Sequence, residues 1–302
     1  MKIPPLAADA PADRIGTGIA CLVTAAFCFT VTDVLAKWLG RDYAAIEILF
    51  FRYLFGLLPV AVLVWHGGGL AALRTRRPGV HALRAGLLFL ALYLFFEALQ
   101  RIPLANAIAA AFTAPLFITA MSGPVLGETV GFRRWAAVVA GFIGALIILR
   151  PGSAAFDPAV LLVLGSAFSF SLMALLTRRM TRTETNVAIV TYGTLGAGLA
   201  SLPFLAFVWR TPAGEDMGLF VLLGIIGGIS AYIIVVAYRN APLAVLAPFE
   251  YTSLVWGVLF GWLIWNEQPA LQVWVGAALV CASGIYITYR ESKVNRSSWS
   301  KR

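Results

Sequence analysis

The chain has 302 residues, 60% of them hydrophobic and only 12% charged. A soluble domain carries about twice that share of charge, so the composition excludes a water-solvated globule and makes lipid the solvent. The net charge of +9 sits in short clusters between apolar runs; that pattern orients a membrane protein and needs no nucleic-acid partner.

Segment 1–14 is polar, contains three prolines and lacks the apolar run and cleavage site of a signal peptide. Ten stretches then approach the roughly 20 apolar residues a spanning helix needs: 17–38, 44–65, 82–100, 104–122, 132–150, 157–177, 187–209, 217–237, 244–265 and 272–289. The connections are short, and 291–302 is a basic tail. Cys21, Cys28 and Cys281 lie inside apolar runs without metal or disulfide spacing. With the N-terminus in the cytoplasm, 17 of the 23 Lys and Arg fall on the inner side, five on the outer side, and Arg52 within a span. This bias predicts a multi-pass protein of a bacterial-type inner membrane with both termini cytoplasmic.

The two halves align on each other. At an offset of 139, Tyr93 matches Tyr232, Pro103-Leu104-Ala105 matches Pro242-Leu243-Ala244, Thr113 matches Thr252, Glu128 matches Glu267 and Trp135 matches Trp274. Near the start of each half the offset is 141, where Ala26-Phe27 matches Ala167-Phe168 and Lys37 matches Arg178. The expected organisation is all-α: a five-helix repeat over 15–152 and a second over 153–290, flanked by a cytoplasmic segment 1–14 and the tail. Five is odd, so the second half enters the membrane from the opposite side. Inverted repeats around a central cavity are an architecture of secondary transporters that work by alternating access.

The stretch from Ala105 through Pro115 to Leu126-Gly127-Glu128, and its second copy from Pro242-Leu243-Ala244 through Tyr251-Thr252-Ser253 to Asn266-Glu267, resembles the EamA domain of the drug/metabolite transporter superfamily. The resemblance implies ten spans, with the first four of each half around a cavity and the fifth outside. Within that family the chain looks similar to the YddG-type amino acid exporters, which implies export of amino acids, aromatic ones included. Small residues in the fifth spans, Ala137, Gly141 and Ala145 in one and Gly276 and Gly284 in the other, suit close helix contact independently.

Charges inside apolar spans are costly and normally face a cavity or a partner. Asp33, Arg52, Glu97 and Glu250 are such charges, and none has a charged match in the other half. Their depths predict one polar cluster of Asp33, Arg52 and Glu97, with Glu250 apart; a structural Asp33–Arg52 ion pair is the competing reading. Tyr93, Gln100, Tyr251 and Thr252 are candidates to line the path beside them, although an aromatic residue in a span more often packs or anchors. Glu128 and Glu267 precede the fifth helices, where a carboxylate favours the positive end of the helix dipole. Pro115 and Pro248 fall inside spans 4 and 9 and should kink them. Gly224 and Gly228 mark helix packing.

No phosphate-binding loop, metal-protease motif or nucleophile pair occurs, so neither an enzyme nor a cofactor or metal is expected. Three readings remain: an exporter of amino acids, whose zwitterions suit a path with acidic groups and Arg52; an uptake carrier for a vitamin or nucleoside-like metabolite; and a channel. Protons are a candidate coupling ion through Asp33, Glu97 or Glu250. Glu250→Gln is expected to alter the rate or pH dependence of transport in proteoliposomes, and an unchanged profile would remove Glu250 from the path.

Overall fold

A computed structural model of the protein describes residues 12–126, 131–149, 157–180, 183–240 and 249–299. Every regular element among them is helical. The helices are α1 (Ala12–Leu39), α2 (Ala45–His66), α3 (Pro78–Leu99), α4 (Leu104–Ala111), α5 (Ala114–Leu126), α6 (Phe132–Leu149), α7 (Ala159–Met180), α8 (Asn186–Val208), α9 (Gly214–Asn240), α10 (Thr252–Trp265) and α11 (Leu271–Trp299), with a 3-10 turn at Gly69–Leu73. Seven stretches of the described residues are long and apolar enough to cross a membrane, and Trp135–Ile148, Thr252–Trp265 and Leu271–Tyr286 are shorter apolar helices. Leu58, Val62, Leu199, Phe207, Val255 and Leu263 are each more than half exposed on the outside of the bundle. A surface of that kind is covered by lipid rather than water.

Helix α1 runs along α9, α2 along α8 and α9, and α3 along α7 and α8. Glycine sets the closest of these contacts. Gly224 faces the backbone of Arg52 and Gly56, and a Cβ on Gly228 would strike Pro59, so α9 seats directly on α2. Helices α6 and α11 lie along each other through Gly144 and Gly276. A Cβ on Gly276 would come within 2.6 Å of the Gly144 carbonyl oxygen and 2.5 Å of Ile148.

Two helices expected to be continuous are interrupted. The span over 104–122 breaks at Phe112-Thr113 into α4 and α5. Pro115 therefore lies in the first turn of α5, where its missing N–H costs nothing, and not at a mid-helix kink. Thr113 Oγ1 donates to the Ala110 carbonyl at 2.8 Å, and Ser171 Oγ of α7 donates to the Ala114 carbonyl at 2.9 Å. Position 251, which corresponds to 112 at the offset of 139, is likewise a turn, just before α10. There Thr252 Oγ1 donates to the Phe249 carbonyl at 2.7 Å and Ser253 Oγ to that of Glu250 at 2.8 Å. The rings at the two interruptions meet: Phe112 and Tyr251 lie 4.7 Å apart between centroids. Hydroxyls that fold back onto carbonyls supply acceptors' partners where the helical ladder stops and no water is at hand. Glu128 and Pro248 lie outside the described residues.

Gly276→Leu is expected to lower the stability of the detergent-solubilised protein by about 1–3 kcal/mol, the usual cost of forcing volume into a close contact. Thermal unfolding of the variant checks this, with Gly16→Leu, at a position facing open space, as the reference.

Candidate functional site

Polar side chains gather at the two ends of the bundle and at one place between them. The first end collects the C-terminus of α1, the N-termini of α2 and α4, and the segments before α9 and α11. Asn266 follows α10 in the left-handed conformation (φ 56°), the sole positive-φ non-glycine residue among the described residues. Its N–H bonds to the Trp262 carbonyl and that of Glu267 to the Gly261 carbonyl, a Schellman-type close that turns the chain back. The sequence position of Glu267 points to the dipole of its own following helix, α11; the structure instead delivers the carboxylate to α4. Oε2 accepts the Leu104 N–H at 2.9 Å, and Oε1 lies 2.7 Å from Lys37 Nζ. Helix α4 is preceded by Pro103, which has no side-chain cap to offer, so this remote carboxylate caps it and meets the positive end of its dipole. Lys37 Nζ also donates to the Ile102 carbonyl at 2.7 Å and lies over the Trp265 ring. Nearby, Tyr43 donates to Asp216 at 2.7 Å and accepts from Ala213 N. That bond to Asp216 holds the phenol proton and pushes the Tyr43 pKa up. Arg210 donates to the Asp42 carbonyl, and its backbone N–H reaches the fully buried Glu47.

At the opposite end, Thr185 and Tyr192 donate to the carbonyls of Ala72 and Leu73. Thr185 also caps α8 by accepting from Ala188 N. Buried His81 lies 3.4 Å from Glu184 and packs on the Tyr192 ring. Arg84 of α3 is 9% exposed inside the bundle, donating to Thr177 Oγ1 at 2.7 Å and to the Ile189 carbonyl at 3.0 Å. Gly193 makes room for it.

Between the ends lie Asp33 of α1 and Arg52 of α2. The two are electrostatic neighbours, yet no ion-pair contact within 4.0 Å joins them. Arg52 is 9% exposed, packs against the Phe96 ring and Gly227, and its Nη1 has no hydrogen-bond partner among the described residues. The neighbouring Tyr53 hydroxyl is also enclosed and unpartnered. Glu97 does not join this cluster; it turns to the exposed Arg101, one helical turn on. Gln100 donates to the Tyr43 carbonyl and packs on Gly40, closing the turn between α1 and α2. Tyr93 stacks on Phe89. The Tyr251 hydroxyl is directed at Gly284 of α11. Glu250 is half-buried beside that turn. Among the described residues no cluster of His, Cys, Asp and Glu has the makings of a metal site.

Profile comparison matches the EamA-like transporter family to residues 16–150 and again to residues 157–290. The chain belongs to that family. Its similar relatives include an S-adenosylmethionine uptake transporter of Rickettsia felis, 28% identical over 92% of this chain and 94% of the relative. A riboflavin transporter of Rhizobium johnstonii is 34% identical over 94% of each, and the pseudopaline exporter CntI of Pseudomonas aeruginosa is 27% identical over 91% of this chain and 97% of its own. A solved crystal structure, 20% identical, superposes on 92% of this chain and 99% of its own with a TM-score of 0.66, which shows a shared fold. In this EamA-like chain Lys37 and Glu267 therefore belong to different family-model matches, as do Tyr43 and Asp216, and Asp42 and Arg210. The first end is tied together across the two matches.

Lys37→Met strands a largely buried carboxylate and is expected to cost about 3 kcal/mol, the low end for removing one partner of a buried pair. Glu267→Gln keeps an acceptor for Leu104 N and should cost less. A double-mutant cycle on thermal unfolding should return a coupling above about 0.5 kcal/mol; additive effects would deny the tie.

Proposed function

We propose that this protein is a carrier for uptake of a nucleoside- or vitamin-like metabolite across a bacterial plasma membrane. The observation that carries this reading is that relatives named for S-adenosylmethionine uptake and riboflavin transport match more than nine-tenths of the chain. The relatives named above are not named for the amino acid export expected from sequence. Export of a metabolite is the second reading, favoured by the similarity to the pseudopaline exporter.

The mechanism we propose is alternating access between two inverted five-helix halves, with ten spans and both termini cytoplasmic. Three features support it: the two matches to one family profile, the helix interruptions at corresponding positions 112 and 251, and the cross-match ties at one end. In this reading the Lys37–Glu267 end is the outer one, since the charge bias places the 40–44 turn outside. In the same reading the ties at that end close the path toward the outside. Opening it requires Lys37 and Glu267 to part, and substrate contacts must offset that cost. The partners are a small-molecule substrate and the bilayer, with protons as the candidate coupling ion.

Proteoliposomes holding the purified protein should take up labelled S-adenosylmethionine or riboflavin with saturation and with counterflow against internal unlabelled ligand. Flux that stays linear in concentration would mean a channel, and saturable flux of amino acids alone would restore the export reading.

A further inference from the structure

Beside the Lys37–Glu267 tie the surface of the bundle opens into a groove of about 590 Å³. One wall is Arg41, in the turn that follows α1; the other is the end of α10, from Trp262 to Asn266. Like the tie itself, the groove spans the two family-model matches. Its apolar wall is open to the outside of the bundle: Trp262 is 51% exposed and Leu263 61%, so hydrocarbon reaches both. Its polar wall carries an unanswered charge. Of the five cations that the sequence places on the outer side, Lys37, Arg101 and Arg210 each have a carboxylate, from Glu267, Glu97 and Asp42. Arg150 lies outside the described residues. Arg41 has no carboxylate partner among the described residues; its Cζ lies 4.4 Å from the centre of the Trp38 ring. A ring face leaves the N–H donors of a guanidinium open to an acceptor. Lys37, four residues back along the chain, adds a second positive charge near the same edge.

We propose that this groove binds an anionic phospholipid of the phosphatidylglycerol type, with its phosphate on Arg41 and an acyl chain along Trp262 and Leu263. The planar fork of arginine pairs with two phosphate oxygens at once. No acidic side chain lines the groove, so the ammonium of a zwitterionic headgroup meets only Arg41 there, whereas the hydroxyls of a glycerol headgroup can bond to the Asn266 amide. The groove also lies at the ends of α1 and α10, at the level where a spanning helix leaves hydrocarbon for headgroups and where tryptophans gather. A soluble anion would gain the Arg41 contact alone; a lipid adds the apolar one. The lipid has a consequence for the tie beside it. Like charges four residues apart repel, and a phosphate on Arg41 offsets its repulsion of Lys37. Asn266 leads directly into Glu267. The bound lipid thus bridges the two matches next to the Lys37–Glu267 pair and favours the state in which that end is drawn together.

The test is thermal stabilisation of the purified full-length protein in a neutral detergent, titrated with three probes: short-chain phosphatidylglycerol, phosphatidylcholine with the same chains, and glycerol phosphate. The expected result is stabilisation by phosphatidylglycerol at lower concentration than by phosphatidylcholine. Arg41→Gln should shrink that preference about fivefold, the weight of one basic residue against an anionic headgroup. Arg101→Gln, at an exposed cation that already has its carboxylate, should leave the preference unchanged. Equal stabilisation of the unmodified protein by the two lipids, or a preference that Arg41→Gln leaves intact, would overturn the site. Glycerol phosphate acting as well as the lipid would overturn the phospholipid as occupant in favour of a soluble anion. A photoactivatable phosphatidylglycerol gives a reading that needs no variant. Its crosslinks, mapped by mass spectrometry, should include residues 38–41 or 262–266, and crosslinks confined to other segments would overturn the proposal. None of these outcomes bears on the uptake assay, so the carrier reading stands or falls separately.

Discussion

Inside a hydrocarbon layer no water stands ready to satisfy an unpaired polar group, and the architecture follows from that constraint. Helices satisfy their own backbones, so each departure from a helix needs a named substitute. At Phe112-Thr113 the substitutes are the hydroxyls of Thr113 and Ser171; near Tyr251 they are Thr252 and Ser253. At the head of α4 the substitute is the Glu267 carboxylate. Against this background Arg52 stands out, because its Nη1 has no hydrogen-bond partner among the described residues.

Close packing answers to the same constraint. With lipid outside as apolar as the protein inside, helices gain little from hiding Leu from solvent, and association depends on how near the backbones come. Gly224 and Gly228 bring α9 onto α2, and Gly144 and Gly276 join α6 to α11. The α2–α9 contact also shapes the interior: Gly227, on the same stretch of α9, is what the Arg52 guanidinium lies against.

The sequence was most legible where one residue is anomalous among its neighbours. Asp33 and Arg52 stand out as charges in apolar runs, and Arg52 is buried in the bundle. Gly224 and Gly228, visible as a spacing, lie in a helix contact. Legibility failed where the partner is remote or the boundary is soft. Glu97 shares the depth of Asp33 and Arg52 in the sequence, yet Arg101, one turn along, takes its carboxylate. Arg84 falls inside the span over 82–100, but its partners Thr177 and Ile189 lie on other helices, where no local pattern points to them. Pro115 suggested a kink, but the break falls just before it, where Thr113 rather than proline closes the turn. No local pattern tells that Glu267 caps a helix 163 residues earlier in the chain.

That separation also has a temporal meaning. Leu104 emerges from the ribosome long before Glu267 exists, and at about 5–20 residues per second the wait is on the order of ten seconds. Through that interval the head of α4 lacks its cap and Lys37 lacks its counter-ion, so the first half resides in the membrane unfinished. Completion of this end is consequently a late event of biogenesis, and a chain truncated before residue 267 would leave the nascent protein without the pair that draws its first end together.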